Sequence, residues 1–219
     1  MKNTLNKKGI ERYSRQIILK DVGPIGQKKI MNSKVLVVGA GGLGCPVIDY
    51  LSRAGVGNIG IVDNDKVNIS NIHRQSLYNS KDVGEFKVNS VKEKIKLINP
   101  QVKIKTFKER ISKKNIEKIF KSYDFIVDGS DNFKTKFLLN KYCLNQKKIL
   151  IVGAISKMDG HIFTFDFKNK NDPCLKCFYQ TEPSDDILNC EYEGILGPVA
   201  GVVGNIQAIE VLKKILKIG

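Results

Sequence analysis

The stretch that decides the fold runs from Lys34 to Gly44 and reads KVLVVGAGGLG. Its first part, 34–39, is a short apolar run of the kind that forms a buried strand. Helical spacing follows over 42–54, so the turn between the two elements is rich in glycine. Such a turn lets the backbone approach a phosphate at the start of a helix. The spacing G-x-G-x-x-G is matched, with one extra glycine, by Gly39, Gly41, Gly42 and Gly44.

Strands and helices alternate along the rest of the chain. This alternation predicts an α/β fold with a Rossmann-like, doubly wound and largely parallel sheet. We predict strands at 58–63, 102–107, 123–128, 148–154 and 160–167, and helices at 87–98, 114–121, 132–145 and 198–217. The last two strands follow each other closely and form an antiparallel extension. On the first helix we expect one apolar face, made by Leu43, Val47, Tyr50 and Leu51.

The stretch 168–195 breaks this pattern. It is polar, has no clear period and holds the last three cysteines. A segment this long within a compact domain is usually functional. We therefore interpret it as a long crossover loop within a single domain spanning 1–219, between a nucleotide-binding core at 34–167 and a C-terminal helix at 196–219. Residues 1–33 form an N-terminal helical segment.

Composition and charge argue against a membrane protein, a secreted protein and a nucleic-acid-binding protein. The chain has 219 residues, of which 42% are hydrophobic, enough for a packed core. It has no apolar run of about 18 residues and a polar start, so we expect no membrane span, no secretory signal and a cytoplasmic location. The formal charge of +15 would suit nucleic acid, but its lysines are spread out and are not interleaved with aromatic residues. We expect no nucleic acid and favour an acidic protein partner.

An acidic residue ends the second predicted strand. Asp63 lies about 20 residues after the glycine turn, where a carboxylate can bind the hydroxyl groups of a ribose. The glycine turn and this acid occur together in many dehydrogenases. An NAD-dependent oxidoreductase therefore remains an alternative at this point.

Further charged and polar residues point to chemistry at a phosphate. Hydride transfer needs few cations near the phosphates of its cofactor, whereas attack on the α-phosphate of ATP develops charge that cations must neutralise. Asp131 could hold the Mg²⁺ that bridges phosphates, although it could also cap the helix near Asn132. The candidates for the phosphate site are Arg15, Asn71, Arg74 and Lys87; the alternative for Arg74 and Lys87 is a solvated surface position.

Several motifs occur together in one order along the chain. They are RYSRQ (12–16), GAGGLG (39–44), VDNDKVNISNIHRQ (62–75), Lys87, DGSDN (128–132) and NCEYEGILGPVAGVVG (189–204). In these motifs the sequence resembles the ThiF/HesA/MoeB family, bacterial relatives of ubiquitin-activating enzymes. The resemblance extends from about residue 11 to the final helix.

The resemblance implies an adenylyltransferase. Its substrates would be ATP and a ubiquitin-like sulfur-carrier protein with a C-terminal Gly-Gly, ThiS-like or MoaD-like, in thiamine or molybdopterin biosynthesis. Adenylation of the terminal glycine carboxylate would release pyrophosphate. Two alternatives remain: the oxidoreductase above and an inactive nucleotide-binding relative.

The resemblance also implies roles for individual residues. Asp63 would bind the ribose of ATP, and Asp131 would bind Mg²⁺. Arg15 would act from the neighbouring subunit of a homodimer. No rhodanese-like extension follows the last helix, so we expect a separate sulfur donor. The phosphates would be bound by Asn71, Arg74 and Lys87.

The five cysteines fall into three groups. Cys45 and Cys143 lie within helical patterns and should be small buried hydrophobes. Cys174 and Cys177 have the C-x-x-C spacing of half a zinc site, which the family completes with a second pair absent from this sequence; the alternative is two simple thiols. Cys190 is a candidate for sulfur transfer, or a loop cysteine without a chemical role.

Overall fold

The fold is built around a mixed six-stranded sheet. A computed structural model of the protein describes residues 5–169, 172–179, 181, 183 and 194–219. The strands are β1 (Lys34–Val38), β2 (Asn58–Val62), β3 (Lys103–Phe107), β4 (Phe125–Asp128), β5 (Ile149–Ser156) and β6 (Asp159–Asp166). Their order is β3-β2-β1-β4-β5-β6, and among the strand pairs of the described residues only β5–β6 is antiparallel. This confirms the predicted fold class.

Helices connect and flank the strands. They are α1 (Lys7–Arg12), α2 (Ser14–Ile17), α3 (Gly23–Asn32), α4 (Gly44–Ala54), α5 (Lys87–Ile98), α6 (Ile116–Phe120), α7 (Phe133–Asn145), α8 (Leu175–Phe178) and α9 (Gly197–Leu216). Short 3₁₀ turns lie at Ile69–Asn71 and Ser80–Asp82. None of the helices in the described ranges is long and apolar enough to span a membrane.

The two faces of the sheet carry separate apolar cores. Because side chains alternate along a strand, Val35 and Val37 of β1 belong to the core shared with α3, α4, α5 and α9. Leu36 and Val38 belong to the opposite core, shared with α6 and α7. Burial of each such side chain contributes about 1.5–3 kcal/mol. The apolar run of β1 therefore reflects a strand covered on both faces.

Helix α4 differs from the prediction in one residue. Leu43, Val47 and Leu51 are buried as expected, but the Tyr50 side chain is 52% exposed. The helix packs between the sheet and α9, so Ile48 is buried in its place. The expected position of Tyr50 was therefore wrong, because the covered stripe is set by α9 as well as by the sheet.

The described part of the segment 168–195 includes one regular element. Leu175, at the start of α8, is 1% exposed, and its N–H donates to Asn140 Oδ1 on α7 at 2.9 Å. These contacts attach the Cys174–Cys177 stretch to the helical layer beside β4 and β5. Cys190 lies outside the described residues.

Candidate active site

A cavity of about 340 Å³ opens at the carboxyl ends of the parallel strands. This is the edge of a doubly wound sheet where ligands bind. The glycine turn after β1, the end of β2, the loop after β3 and the loop after β4 all contribute to its wall. Among the residues predicted from sequence, the cavity is lined by Gly39, Gly41, Gly42, Asp63, Arg74, Lys87 and Asp131.

The glycine turn is required by close backbone contact. Gly39 has a φ of +93°, and a Cβ at this position would lie 2.7 Å from the carbonyl oxygen of Gly129 in the loop after β4. A Cβ on Gly44 would lie 1.9 Å from the carbonyl oxygen of Gly39. A side chain at residue 39 would therefore collide with the loop after β4, and a side chain at residue 44 would collide with the glycine turn itself. Gly44 is therefore needed for the shape of the turn, although it does not line the cavity.

Asp63 is fixed by the turn that it faces. Its Oδ2 accepts a hydrogen bond from the N–H of Ala40 at 2.7 Å, and its Oδ1 accepts one from the N–H of Asp65 at 2.8 Å. Burial raises the pKa of Asp63 above its ordinary value of 3.8, and the Lys87 charge and these two N–H groups offset part of the effect. The carboxylate is thus oriented beside the glycine turn, where it can accept hydrogen bonds from a ligand.

Two cations share the cavity with Asp63. Lys87 is the first residue of α5, and its side chain is 7% exposed with Nζ 3.0 Å from Asp65 Oδ2. Arg74 donates from Nη1 to the carbonyl oxygen of Ser70 at 3.0 Å, and the same atom lies 2.8 Å from His73 Nε2. Both side chains are held at the cavity wall, where they can meet an anionic group.

Asn71 and Arg15 are not brought to the cavity within this chain. The Oδ1 of Asn71 accepts a hydrogen bond from the N–H of Asn68 at 3.2 Å and so closes the 3₁₀ turn. Arg15 is exposed on α2. Neither residue lines the wall. Their roles at the phosphates stay predictions.

Asp131 stands free of the helix that follows it. The N-cap of α7 is Asn132, whose Oδ1 accepts a hydrogen bond from the N–H of Thr135 at 2.9 Å. The alternative that Asp131 is the cap is therefore wrong. Its exposed carboxylate lines the cavity and accepts a hydrogen bond from Asn132 Nδ2 at 3.3 Å. Mg²⁺ is commonly bound by one or two carboxylates with substrate phosphates and waters, so this residue fits such an ion.

A family profile decides the relationship of the chain to known proteins. The profile of the ThiF family matches residues 13–219. The chain belongs to the ThiF family.

Comparison with individual proteins agrees with this family assignment. It is 42% identical over 212 residues to the adenylyltransferase and sulfurtransferase MOCS3 of Dictyostelium discoideum, covering 96% of this chain and 49% of that protein. It is 40% identical over 217 residues to the sulfur carrier protein adenylyltransferase of Thermus thermophilus, covering 97% of this chain and 80% of that protein. The chain thus spans about half of the length of the Dictyostelium relative.

A solved structure shows the same fold. The crystal structure of E. coli MccB with ATP has a TM-score of 0.81 and 25% identity to the ThiF-family chain. The match covers 94% of this chain and 64% of the MccB chain.

The paired cysteines of the ThiF-family chain do not form a metal site by themselves. The Sγ atoms of Cys174 and Cys177 lie 4.0 Å apart, but residues 5–169, 172–179, 181, 183 and 194–219 contain no group of three or more His, Cys, Asp or Glu residues that could hold a metal ion. Two thiols do not complete a tetrahedral zinc site. Burial raises the pKa of Cys174, but hydrogen bonds, the Asn140 side chain first among them, outweigh burial and leave that pKa lowered.

The other two described cysteines are buried, as predicted. Burial raises the pKa of Cys45 to about 12 and also raises that of Cys143. Both thiols therefore stay protonated at neutral pH, which is typical of structural cysteines.

Sequence reasoning missed several residues of the cavity wall, among them Gln75 and Arg110. Gln75 is 4% exposed, and its Oε1 has no hydrogen-bond partner among the described residues. Arg110, in the loop after β3, adds a third cation. A signal for Arg110 was available, since the loop after any parallel strand of this sheet faces the ligand edge. Gln75 is the last residue of the 62–75 motif, but its burial depends on tertiary packing.

Proposed function

We propose that this chain adenylates the C-terminal glycine carboxylate of a ubiquitin-like sulfur-carrier protein, using ATP and Mg²⁺. The observation that carries the proposal is that Asp63, Arg74, Lys87 and Asp131 line one cavity with the glycine turn. An acceptor for a ribose, cations for phosphates and a carboxylate for Mg²⁺ together fit a nucleoside triphosphate that reacts at a phosphate. The Thermus relative, a sulfur carrier protein adenylyltransferase, supports a carrier protein as the second substrate.

The reaction is a displacement at phosphorus. A carboxylate oxygen of the carrier's terminal glycine attacks the α-phosphorus of ATP, and the bond from that phosphorus to the bridging oxygen breaks. The electron pair of that bond leaves with pyrophosphate, and the carrier becomes an acyl-adenylate. No side-chain nucleophile and no proton transfer are required, so catalysis rests on positioning and charge stabilisation.

The residues of the cavity divide the task. Asp63 binds the ribose hydroxyls and so sets the position of the α-phosphate relative to the glycine turn. Arg74 and Lys87 face the phosphates and offset the charge that develops as pyrophosphate departs. Asp131 would hold Mg²⁺, and the ion would supply further charge neutralisation at the phosphates.

The remaining assignments complete the proposal. Arg15 reaches the phosphates from a second copy of the chain in a homodimer, and Asn71 joins it there. A separate sulfur donor acts after adenylation, in thiamine or molybdopterin biosynthesis in the cytoplasm. Cys190 is the candidate transfer thiol, whose sulfur would bond to the acyl carbon of the adenylate as AMP leaves. The Dictyostelium relative is both an adenylyltransferase and a sulfurtransferase, which supports coupling of the two steps.

The deciding experiment is ATP–pyrophosphate exchange with Mg²⁺ and purified carriers. We expect exchange only when a ThiS-like or MoaD-like carrier ending in Gly-Gly is present, and none with the same carrier amidated at its C-terminus, which has no free carboxylate. Exchange with the amidated carrier would contradict attack by the terminal glycine carboxylate. A thermal shift with NAD and none with ATP would support the oxidoreductase alternative instead.

A further inference from the structure

A lysine lies fully buried behind the cavity. Lys136, on α7, is 1% exposed and ranks among the largest fully buried side chains of the described residues. Its Nζ donates to the carbonyl oxygen of Gly153 at 2.6 Å and to that of Ser130 at 2.7 Å, and it lies 3.5 Å from Asp128 Oδ2. A buried charge is tolerated only when it is paired and hydrogen-bonded, as this one is.

The partner carboxylate is buried as well. Asp128, the last residue of β4, is 0% exposed. Its Oδ1 accepts hydrogen bonds from the N–H of Ser130 at 2.9 Å and from the Ser130 hydroxyl at 2.6 Å. Its own carbonyl oxygen accepts a hydrogen bond from Gln207 Nε2 at 2.9 Å. The ion pair is thus anchored to β4, β5, α7 and α9.

The network converges on one residue of the loop. The N–H and hydroxyl of Ser130 donate to Asp128, and its carbonyl oxygen accepts from Lys136. All the polar groups of Ser130 are therefore held by this pair, and the next residue along the chain is Asp131. Stability alone is a weak reason for such a pair, because well-packed apolar side chains often replace a buried ion pair without loss. What the pair does supply is a fixed backbone at residue 130.

We propose that Lys136 is a positioning residue, which together with Asp128 fixes Ser130 so that the Asp131 carboxylate is presented to Mg²⁺ on the phosphates of ATP. The inference rests on the proposed function of the cavity as a Mg·ATP site. Lys136 itself does not contact the nucleotide. It acts as an outer-shell partner, and loss of such partners typically lowers metal affinity about 10–100-fold.

The test uses a variant that removes the pair together. Lys136→Met alone leaves an uncompensated buried carboxylate and can prevent folding, so the informative variant is Asp128→Asn/Lys136→Met. ATP binding is measured by calorimetry as a function of Mg²⁺ concentration, with thermal unfolding as the check on the fold. In the double variant, we expect the Mg²⁺ concentration that gives half of the Mg²⁺-dependent gain in ATP affinity to rise about tenfold or more. ATP binding in the absence of Mg²⁺ should be unchanged.

Two single variants serve as controls for the double variant. Lys136→Arg keeps the positive charge and the hydrogen-bond donors, so it should retain the wild-type Mg²⁺ dependence of ATP binding. Lys134→Met removes an exposed lysine from the same helix and should leave that dependence unchanged. A folded double variant with wild-type Mg²⁺ dependence overturns the inference. If this double variant does not fold, Asp128→Leu/Lys136→Met decides, because apolar side chains can replace a buried ion pair and neither of them can bond to Ser130; an unchanged Mg²⁺ dependence there overturns the inference too.

Failure of the proposed function has a different signature. Wild-type protein that binds ATP in an Mg²⁺-dependent way, yet gives no pyrophosphate exchange with any carrier, would contradict adenylation while the binding assay still tests Lys136. If exchange depends on the carrier but ATP binding does not depend on Mg²⁺, the proposed positioning role of Lys136 is overturned, whereas the proposed adenylation is not.

Discussion

The ammonium group of Lys87 lies 3.0 Å from Oδ2 of Asp65, although the lysine side chain is 7% exposed and the aspartate side chain 58% exposed. A largely solvated carboxylate thus anchors a buried cation at the cavity wall. Because water can solvate the Asp65 carboxylate if the contact opens, Lys87 can exchange this partner for a phosphate. The contact with Asp65 positions the Lys87 ammonium group at the cavity wall, where it remains available to bind a phosphate.

Replacement of Lys87 by methionine should therefore lower the rate of ATP–pyrophosphate exchange about 100-fold or more. Oriented contacts to a developing charge are worth about 3 kcal/mol, and methionine keeps the apolar stem of the side chain. The matched control is Lys96→Met on the same helix, an exposed lysine paired with Glu93, which should retain wild-type exchange. Equal rates in the two variants would remove Lys87 from the phosphate site.

Arg74→Ala should reduce exchange by several orders of magnitude. The guanidinium is already oriented by the carbonyl oxygen of Ser70, so its contact with phosphates requires little reorganisation. Arg53→Ala is the control, since that side chain is exposed on α4 and pairs with Asp49. A loss of tenfold or less in the Arg74 variant would assign this residue to the surface.

Asp131 and Asn132 are neighbours with separable roles. Asp131→Ala should abolish carrier-dependent exchange and leave the unfolding free energy unchanged, because its carboxylate is exposed and does not cap α7. Asn132→Ala should lower the unfolding free energy by about 1 kcal/mol through loss of the N-cap. Denaturant unfolding and exchange, measured on both variants, test the two assignments. A fully active Asp131→Ala protein would refute the Mg²⁺ assignment.

The fold was readable from the sequence because its signals are local. The alternation of Val35, Leu36, Val37 and Val38 between two cores follows from a period of two, and the glycine turn follows from spacing alone. Strand and helix bounds agree with the predicted ones to within about two residues. These features need no knowledge of which distant segments meet.

The site was readable only in part, because its details depend on tertiary contacts. Asp131 and Asn132 are both good N-cap types, and only the backbone shows that Asn132 takes this role. Lys136 resembles a surface lysine in the sequence, since its burial depends on Asp128 and Gly153 from two strands. The Tyr50 prediction failed because the position of α9 could not be derived from the period of α4.

The Asp63 carboxylate couples both fold stability and ligand binding to pH. Burial raises the pKa of Asp63 above 3.8, so the folded protein holds a proton on this group more tightly than the unfolded chain does. The ionised carboxylate therefore lowers the stability of the fold at neutral pH, and this cost is relieved as the pH falls through the raised pKa towards 3.8. Ligand affinity should change in the opposite direction, because a ribose hydroxyl needs the ionised carboxylate as its acceptor.

Adenosine is the probe for this effect, since it carries no phosphate that titrates, and protonation of its adenine ring affects the wild-type protein and the Asp63→Asn control alike. Its affinity for the wild-type protein should fall as the pH is lowered from neutral, with a midpoint above 3.8. Asp63→Asn should bind adenosine weakly and without this pH dependence, because the amide cannot ionise and offers one acceptor oxygen where Ala40 and Asp65 both donate. Calorimetric titration of both proteins at several pH values measures the difference. If wild-type and Asp63→Asn proteins bind adenosine with equal affinity at neutral pH, the ribose lies elsewhere in the cavity.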